Sequence, residues 1–258
     1  MGTYGRYKLA CESLASFLQQ TAIKEATLLI FNQHPIPLIF DHPRVRVVNE
    51  QMTNVGLRDI KRRMLELTDP GVEFIHWWDD DDLYLPWHLE DCLTHIGSDL
   101  AWKPARSWLS RHAGTFALAR NYFEPSWILR AKYVREAPFD THPLYPDHPA
   151  NMQLWEARLV KSTEMGALSS YIYRWGTALR HVSQQQFSSA EDQIASIEAA
   201  RRDGVAPADG RLVAVDLWPR WQEFLDNIQS QVTRLEFDEI QARLSLADAM
   251  SKLGGSSP

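Results

Sequence analysis

With 258 residues, of which 45% are hydrophobic and 23% are charged, the chain is long enough for one large domain or one domain with an appendage. A formal net charge of −6 and the absence of a long Lys/Arg run argue against broad binding to nucleic acid or to an anionic membrane. No apolar window approaches the roughly 18 residues that cross a bilayer, and the N-terminus lacks a hydrophobic signal core, so we expect a cytoplasmic protein.

The first part of the chain predicts alternating helices and strands. Helical spacing of apolar residues indicates a helix over residues 7–20, and an apolar run at residues 26–31 indicates a strand. A short strand at residues 45–48 and a helix with an apolar stripe from Leu57 to Leu67 follow, before a strongly apolar segment at residues 72–78. This alternation predicts an α/β fold with a mainly parallel sheet that is covered by helices on both faces.

The pattern is weaker beyond residue 83. Short strands are expected at residues 100–104, 115–119 and 127–129, and a helix at residues 152–159. Three prolines within residues 140–149 predict a loop, and loops beside a sheet often carry functional groups. Residues 184–253 are predicted to form a helical C-terminal extension, and residues 254–258 a disordered tail.

The chain has two cysteines, Cys11 and Cys92. Both lie in helix-like segments without the spacing of a metal site, so we interpret them as buried thiols. His76 lies within an apolar segment and is interpreted as a packing residue.

Four consecutive aspartates, residues 79–82, follow the apolar segment 72–78. Adjacent carboxylates repel one another unless a cation neutralises them, and Mg²⁺ and Mn²⁺ prefer carboxylate oxygens. The carboxyl ends of strands in an open α/β sheet are where ligands usually bind. We therefore predict that the cluster holds a divalent metal that carries a phosphorylated ligand, with a solvated acidic turn as the alternative.

Four motifs occur along the chain in a fixed order: residues 3–6 (TYGR), 12–21 (ESLASFLQQT), 54–56 (NVG) and 78–86 (WDDDDLYLP). Together they resemble the inverting family 2 glycosyltransferases of the GT-A fold, in the nucleotide-diphospho-sugar transferase superfamily. The resemblance covers residues 3–90 well and residues 91–182 loosely. It implies a GT-A domain over residues 1–183, with a nucleotide-binding half at 1–90 and an acceptor half at 91–183.

The resemblance also implies a reaction and its site. The enzyme would move a sugar, in a hexosyltransferase-like reaction with inversion, from a nucleotide-sugar donor (UDP- or GDP-linked) to an unidentified acceptor. Mn²⁺ or Mg²⁺ would stabilise the leaving diphosphate as a Lewis acid. The implied metal ligands are Asp79, Asp81, Asp82 and His181. The implied nucleotide contacts are Thr3, Tyr4, Arg6, Asn32, Lys61, Asp79 and Asp80.

Three departures from the family pattern bear on activity. Inverting transfer needs a carboxylate base near the sugar, but residues 145–152 lack the family's Glu-Asp pair. Asp147 is the nearest carboxylate and the candidate base, with an ordinary loop or helix-capping role as the alternative. Asn32 stands where the family usually has an aspartate. Because only Met1 and Gly2 precede the threonine-tyrosine turn, we expect either a truncated start or a sheet without the family's first strand.

Two other functions remain open. A nucleotidyltransferase of similar architecture would also use aspartates and Mg²⁺, but it would normally have a Gly-rich phosphate loop near its N-terminus, which this sequence lacks. A degenerate sugar-nucleotide-binding or interaction protein is favoured by the short N-terminus and by the missing Glu-Asp pair.

Overall fold

A computed structural model describes residues 1–21, 25–111, 115–136, 159–174 and 190–254. The predicted helix at 152–159 and the proline-rich loop at 140–149 fall in or almost entirely in the remaining segments, as does most of the predicted tail. These three predictions therefore lie outside the described residues.

The N-terminal part forms a three-stranded sheet of parallel strands. Its order is β1-β2-β3, with β1 at Gly2–Thr3, β2 at Leu28–Asn32 and β3 at Val45–Asn49. A first strand is therefore present, although it spans two residues. The Met1 amino group continues it by donating a hydrogen bond of 2.8 Å to the carbonyl oxygen of Leu29.

Two helices accompany this sheet, as the spacing of apolar residues predicts. Helix α1 spans Tyr7–Leu18 and buries Ala10, Leu14 and Phe17. Helix α2 spans Leu57–Glu66 and buries Ile60, Met64 and Leu65. Helix α2 is thus held by one apolar face, whereas α1 is buried around most of its circumference.

Two further sheets, each of four strands, mix parallel and antiparallel pairs. Their strands are β4 (Phe74–His76), β5 (Leu83–Tyr84), β6 (Ala101–Pro104), β7 (Arg106–Arg111), β8 (Thr115–Arg120), β9 (Ile128–Arg130), β10 (Val160–Thr163) and β11 (Tyr171–Arg174). One sheet has the order β10-β6-β9-β4, with only β10 and β6 parallel, and the other has the order β5-β11-β7-β8, with only β11 and β7 parallel. Helices α3 (His88–Ile96) and α4 (Ala131–Glu136) accompany them. The predicted α/β class is confirmed, with parallel pairing throughout the first sheet and mixed pairing in the other two.

The apolar segment at residues 72–78 forms a shorter strand than its composition predicts. Only Phe74–His76 is extended in β4, and Trp77 and Trp78 are buried beyond its end. Two buried tryptophans, Trp77 and Trp78, therefore connect the end of the strand to the four aspartates.

Three helices form the described part of the C-terminal region: α5 (Ala190–Asp203), α6 (Trp218–Ile228) and α7 (Arg234–Gly254). Phe224 of α6 packs edge-on against Trp108 of β7 and against Phe116 of β8, with ring centroids 5.2 Å apart in both pairs. The predicted helical extension therefore shares a core with the third sheet, and the boundary at residue 183 stays a prediction. In the described part of the chain, no helix combines the length and apolarity that a membrane span requires.

The turn that carries Arg6 depends on a close approach between two glycines. Gly5 has a φ of +98°, and a Cβ atom there would lie 2.7 Å from the Cα of Gly204, just after α5. The amide of Val205 also donates a hydrogen bond of 2.7 Å to the carbonyl oxygen of Gly5. The end of α5 thereby holds the N-terminal turn in place.

We expect Gly5→Ala to destabilise the protein more than Gly97→Ala does. Both glycines have positive φ, which costs a residue with a side chain about 1–3 kcal/mol, but a Cβ at Gly97 meets no atom within 4 Å. The extra steric cost at Gly5 should be at least about 1 kcal/mol. Urea unfolding of both variants measures it, and equal losses of unfolding free energy would contradict the close approach.

Candidate functional site

The loop that follows β4 is anchored before its first carboxylate. The Trp78 ring stacks on Tyr84 at 3.6 Å between centroids, and its indole N–H donates a hydrogen bond of 2.9 Å to Ser13 Oγ on α1. The hydroxyl of Ser13 donates to the carbonyl oxygen of Asp79 at 2.6 Å, and the Asp79 amide donates to the Tyr84 hydroxyl at 2.9 Å. Uncharged groups from α1 and β5 therefore fix where the acidic loop begins.

Three of the four aspartates converge. One carboxylate oxygen from each of Asp79, Asp81 and Asp82 lies within 4.8 Å of the others, a spacing that a single metal ion can bridge. Asp81 and Asp82 are buried and Asp79 is half-buried. The structure thus brings together three of the predicted metal ligands. The fourth, His181, lies outside the described residues.

Arg6 is the cation that directly contacts this cluster from the N-terminal turn. Its guanidinium group donates hydrogen bonds to the carboxylates of Asp80 and Asp81. The side chain of Thr3 lies beside Asp80 and acts to lower the pKa of its carboxyl group. The second carboxylate oxygen of Asp80 is buried and has no hydrogen-bond partner among the described residues. The predicted nucleotide-binding turn therefore meets the predicted metal-binding loop.

A second arginine, which the sequence interpretation missed, holds the other end of the loop. The backbone amide of Arg174 on β11 donates a hydrogen bond of 2.9 Å to the Asp82 carboxylate, and its guanidinium group donates to the carbonyl oxygen of Asp81 and to Glu12 on α1. The Tyr171 hydroxyl donates to Asp82 as well. Glu12 was visible as part of the motif at residues 12–21, whereas β11 was not predicted.

Burial dominates the electrostatics of the cluster. Burial, helped by the neighbouring Asp81, raises the pKa of Asp79 to about 7. Burial also raises the pKa of Asp80, and it raises that of Asp82 well above the usual range, with Asp81 contributing. The nearby cations, Arg6 and the more distant Lys61, therefore offset only part of the negative charge. A bound divalent cation would relieve the rest.

The other predicted nucleotide contacts occupy different environments. Lys61 donates a hydrogen bond of 2.8 Å to Glu124 and lies 5.3 Å from the Trp77 ring centre. The buried Asn32 amide donates at 2.9 Å to both Asn49 Oδ1 and the carbonyl oxygen of Ile36, so it shapes the turn after β2.

Tyr4 is buried beside the turn. For Tyr4, Asn32 and Lys61, a contact with nucleotide stays a prediction. The candidate base, Asp147, lies outside the described residues.

Comparison with known proteins assigns no family to this chain. No family model and no curated protein matches the chain. Among solved structures, it is similar to a protein from Desulfovibrio desulfuricans G20 that is described provisionally as a nucleotide-diphospho-sugar transferase. The identity is 14%, the match covers 78% of this chain and 86% of that chain, and the TM-score is 0.33. A superposition this limited supports no conclusion about function.

The raised pKa of Asp79 predicts a pH-dependent effect of Asp79→Asn on stability in the absence of divalent metal. The folded protein binds a proton at Asp79 up to about pH 7, whereas the unfolded chain releases it near 3.8, so wild-type stability from this group falls as pH rises through that window. The Asp79→Asn variant has no carboxyl group at this position, so its stability does not fall for this reason as the pH rises. We expect its unfolding free energy, relative to wild type, to increase by at least about 1 kcal/mol from pH 5 to pH 8.

The measurement compares Asp79→Asn with wild type because a second group also contributes to stability in this pH range. Burial lowers the pKa of the Met1 amino group to about 5, which gives a stability contribution of opposite slope between pH 5 and 8. That contribution is common to both proteins and largely cancels in the difference. Urea unfolding in EDTA at both pH values provides the data. A difference that stays constant with pH would contradict the raised pKa.

Proposed function

We propose that this protein is a metal-dependent glycosyltransferase that moves a sugar from a nucleotide-diphosphate donor, with inversion, to an acceptor. The observation that carries the proposal is the convergence of Asp79, Asp81 and Asp82 in a buried loop directly after a strand. Their oxygen chemistry suits Mn²⁺ or Mg²⁺. When bound, such an ion supplies Lewis-acid stabilisation of the departing diphosphate.

Arg6 is the residue best placed to bind the donor's diphosphate. Its guanidinium group now donates to Asp80 and Asp81, and a metal on the aspartates would compete with it for their charge. An arginine released from a carboxylate can turn its paired N–H donors to a phosphate, which accepts them in the same geometry. In this proposal Arg6 holds the loop together without ligand and holds the donor when ligand is present.

The remaining roles follow the sequence pattern. We assign the general base to Asp147, which would take the proton of the acceptor hydroxyl as the new glycosidic bond forms. We assign a further metal contact to His181, whose neutral imidazole would complete the metal's ligands. Both assignments rest on the order of residues along the chain.

A specific observation favours a second function, that of a sugar-nucleotide-binding protein without transferase activity. Arg6 already forms ion pairs with two of the four aspartates, so the loop has a folded arrangement in the absence of metal. The missing Glu-Asp pair at residues 145–152 points the same way. A nucleotidyltransferase would differ from both in releasing pyrophosphate, and product analysis distinguishes it.

Asp81→Asn tests the metal site. This variant should lose at least about 10-fold in Mn²⁺-dependent affinity for a nucleoside diphosphate, because it removes a charged metal ligand but little volume. Calorimetric titration of UDP and GDP, with Mn²⁺ and with EDTA, measures the effect. Asp91→Asn is the matched control, since Asp91 is also a buried carboxylate with a raised pKa but lies on α3, outside the cluster.

The control should bind as wild type does. A wild-type protein whose nucleotide affinity is the same in Mn²⁺ and in EDTA would overturn the metal-dependent proposal. Unchanged Mn²⁺-dependent affinity in Asp81→Asn would remove Asp81 from the site.

Asp147→Asn distinguishes an enzyme from a binding protein. If Asp147 is the base, turnover should fall by roughly 10²-fold or more while donor affinity stays unchanged. Sugar release or transfer is followed with UDP- and GDP-sugars over a panel of acceptors, and Asp140→Asn serves as a control in the same proline-rich stretch of sequence. A wild-type protein that binds donor but never hydrolyses or transfers sugar would favour the second function.

A further inference from the structure

A second group of potential metal ligands flanks the acidic loop in sequence, with one residue in β4 before the loop and two residues in α3 after it. His88 and Cys92 are four residues apart on α3, so their side chains share one face of the helix. Both are completely buried, and Cys92 Sγ lies 3.7 Å from His88 Nε2. The pair His88-x-x-x-Cys92 has the spacing with which one helix can supply two ligands to one ion.

His76 brings a third ligand from β4. Its Nε2 lies 2.8 Å from the Nε2 of His88, and the two rings are perpendicular, with centroids 5.0 Å apart. One ring nitrogen of each histidine and the Sγ of Cys92 all lie within 4.8 Å of one another. The other nitrogen of His76, Nδ1, is buried without a hydrogen-bond partner among the described residues.

The group also has an orienting partner. Ser170 Oγ lies 3.0 Å from His88 Nδ1, so a hydrogen bond there fixes the ring and leaves Nε2 facing His76 and Cys92. Histidine ligands of metals are usually held in this way through their second nitrogen. The sequence interpretation took Cys92 and His76 as packing residues and missed His88, although the four-residue spacing was visible.

We propose that His76, His88 and Cys92 form a zinc site that ties β4 to α3. Two imidazole nitrogens and a thiolate are ligands that Zn²⁺ prefers, whereas Mn²⁺ and Mg²⁺ prefer the oxygens of the acidic loop. Tetrahedral zinc with bonds of about 2.0 Å to nitrogen and about 2.3 Å to sulfur places nitrogen and sulfur about 3.5 Å apart. The Cys92–His88 separation already matches, and the two nitrogens need to separate by about half an ångström.

One of the three ligands, His76, also borders open space. His76 lines a cavity of about 510 Å³, together with Trp78 and Leu89. A cavity of this size admits water, which commonly completes a three-ligand zinc site.

The two imidazoles are already in the protonation state that a metal needs. Burial lowers the pKa of His76 to about 3 and that of His88 well below its usual value, so both imidazoles are neutral at pH 7, as metal ligands must be. Burial raises the pKa of the Cys92 thiol well above its usual value. Zinc must therefore displace the thiol proton, which passes to solvent as the Zn²⁺–S bond forms, and this cost grows as the pH falls.

Direct measurement of zinc in the full chain tests the site. After incubation with Zn²⁺ and removal of excess metal, the wild-type protein should retain one zinc per chain. Its X-ray absorption spectrum should show one sulfur neighbour at about 2.3 Å and nitrogen neighbours at about 2.0 Å. Bound zinc should also raise the melting temperature, because it binds the folded state.

Two cysteine variants provide a matched comparison. Cys92→Ala should lose the zinc and the rise in melting temperature, while Cys11→Ala, which removes the other buried thiol on α1, should keep both. His76→Phe should also lose zinc while keeping an aromatic ring against Trp78. Because the absorption spectrum is measured on wild type, it tests the site even if a variant folds poorly.

Asp81→Asn separates this site from the acidic loop. It should keep its zinc while losing Mn²⁺-dependent nucleotide binding, so either proposal can fail without the other. A folded wild-type protein that retains no zinc would overturn the zinc site. So would a spectrum without a sulfur neighbour, or a Cys92→Ala variant that keeps one zinc per chain.

Discussion

The structure around the candidate site depends on the cost of placing four adjacent carboxylates together, three of them buried and the fourth half-buried. Their mutual repulsion and their removal from water both disfavour the charged forms, as the raised pKa of Asp79 indicates. The fold offsets this cost with groups from distant parts of the chain. Arg6 comes from the N-terminal turn, and Arg174 comes from β11.

The same electrostatic network reaches the C-terminal helices. Glu12 on α1 pairs with Arg174, and it also accepts hydrogen bonds of 3.0 Å from the guanidinium group of Arg220 on α6. The close approach of Gly5 and Gly204 joins the turn of Arg6 to the end of α5. Helices α5 and α6 therefore support the two arginines that face the acidic loop.

How well the sequence predicts each part of this arrangement depends on how far apart the interacting residues lie along the chain. Helices α1 and α2 and strands β2 and β3 have local signals, and their predictions agree with the structure. The acidic loop follows a strand as predicted, and the metal predicted for it stays a prediction. Arg174 follows three apolar residues of β11 and has no local sign that it will meet Asp82, because 92 residues separate the two. His88 contacts His76 across the acidic loop in the same way. Contacts between residues that are far apart in the sequence become visible only in the folded structure.

The acidic loop is held at both ends by side chains that carry no negative charge. Trp78 and Tyr84 stack at its start, and His76 and His88 meet across the base of the segment that contains it. With its ends fixed, the loop cannot relieve the repulsion by spreading, so the repulsion remains as raised pKa values. A cation that binds the loop then removes this repulsion, and its removal adds to the free energy of binding. Zinc at His76, His88 and Cys92 would stiffen this segment and so strengthen the preference of the aspartates for a metal.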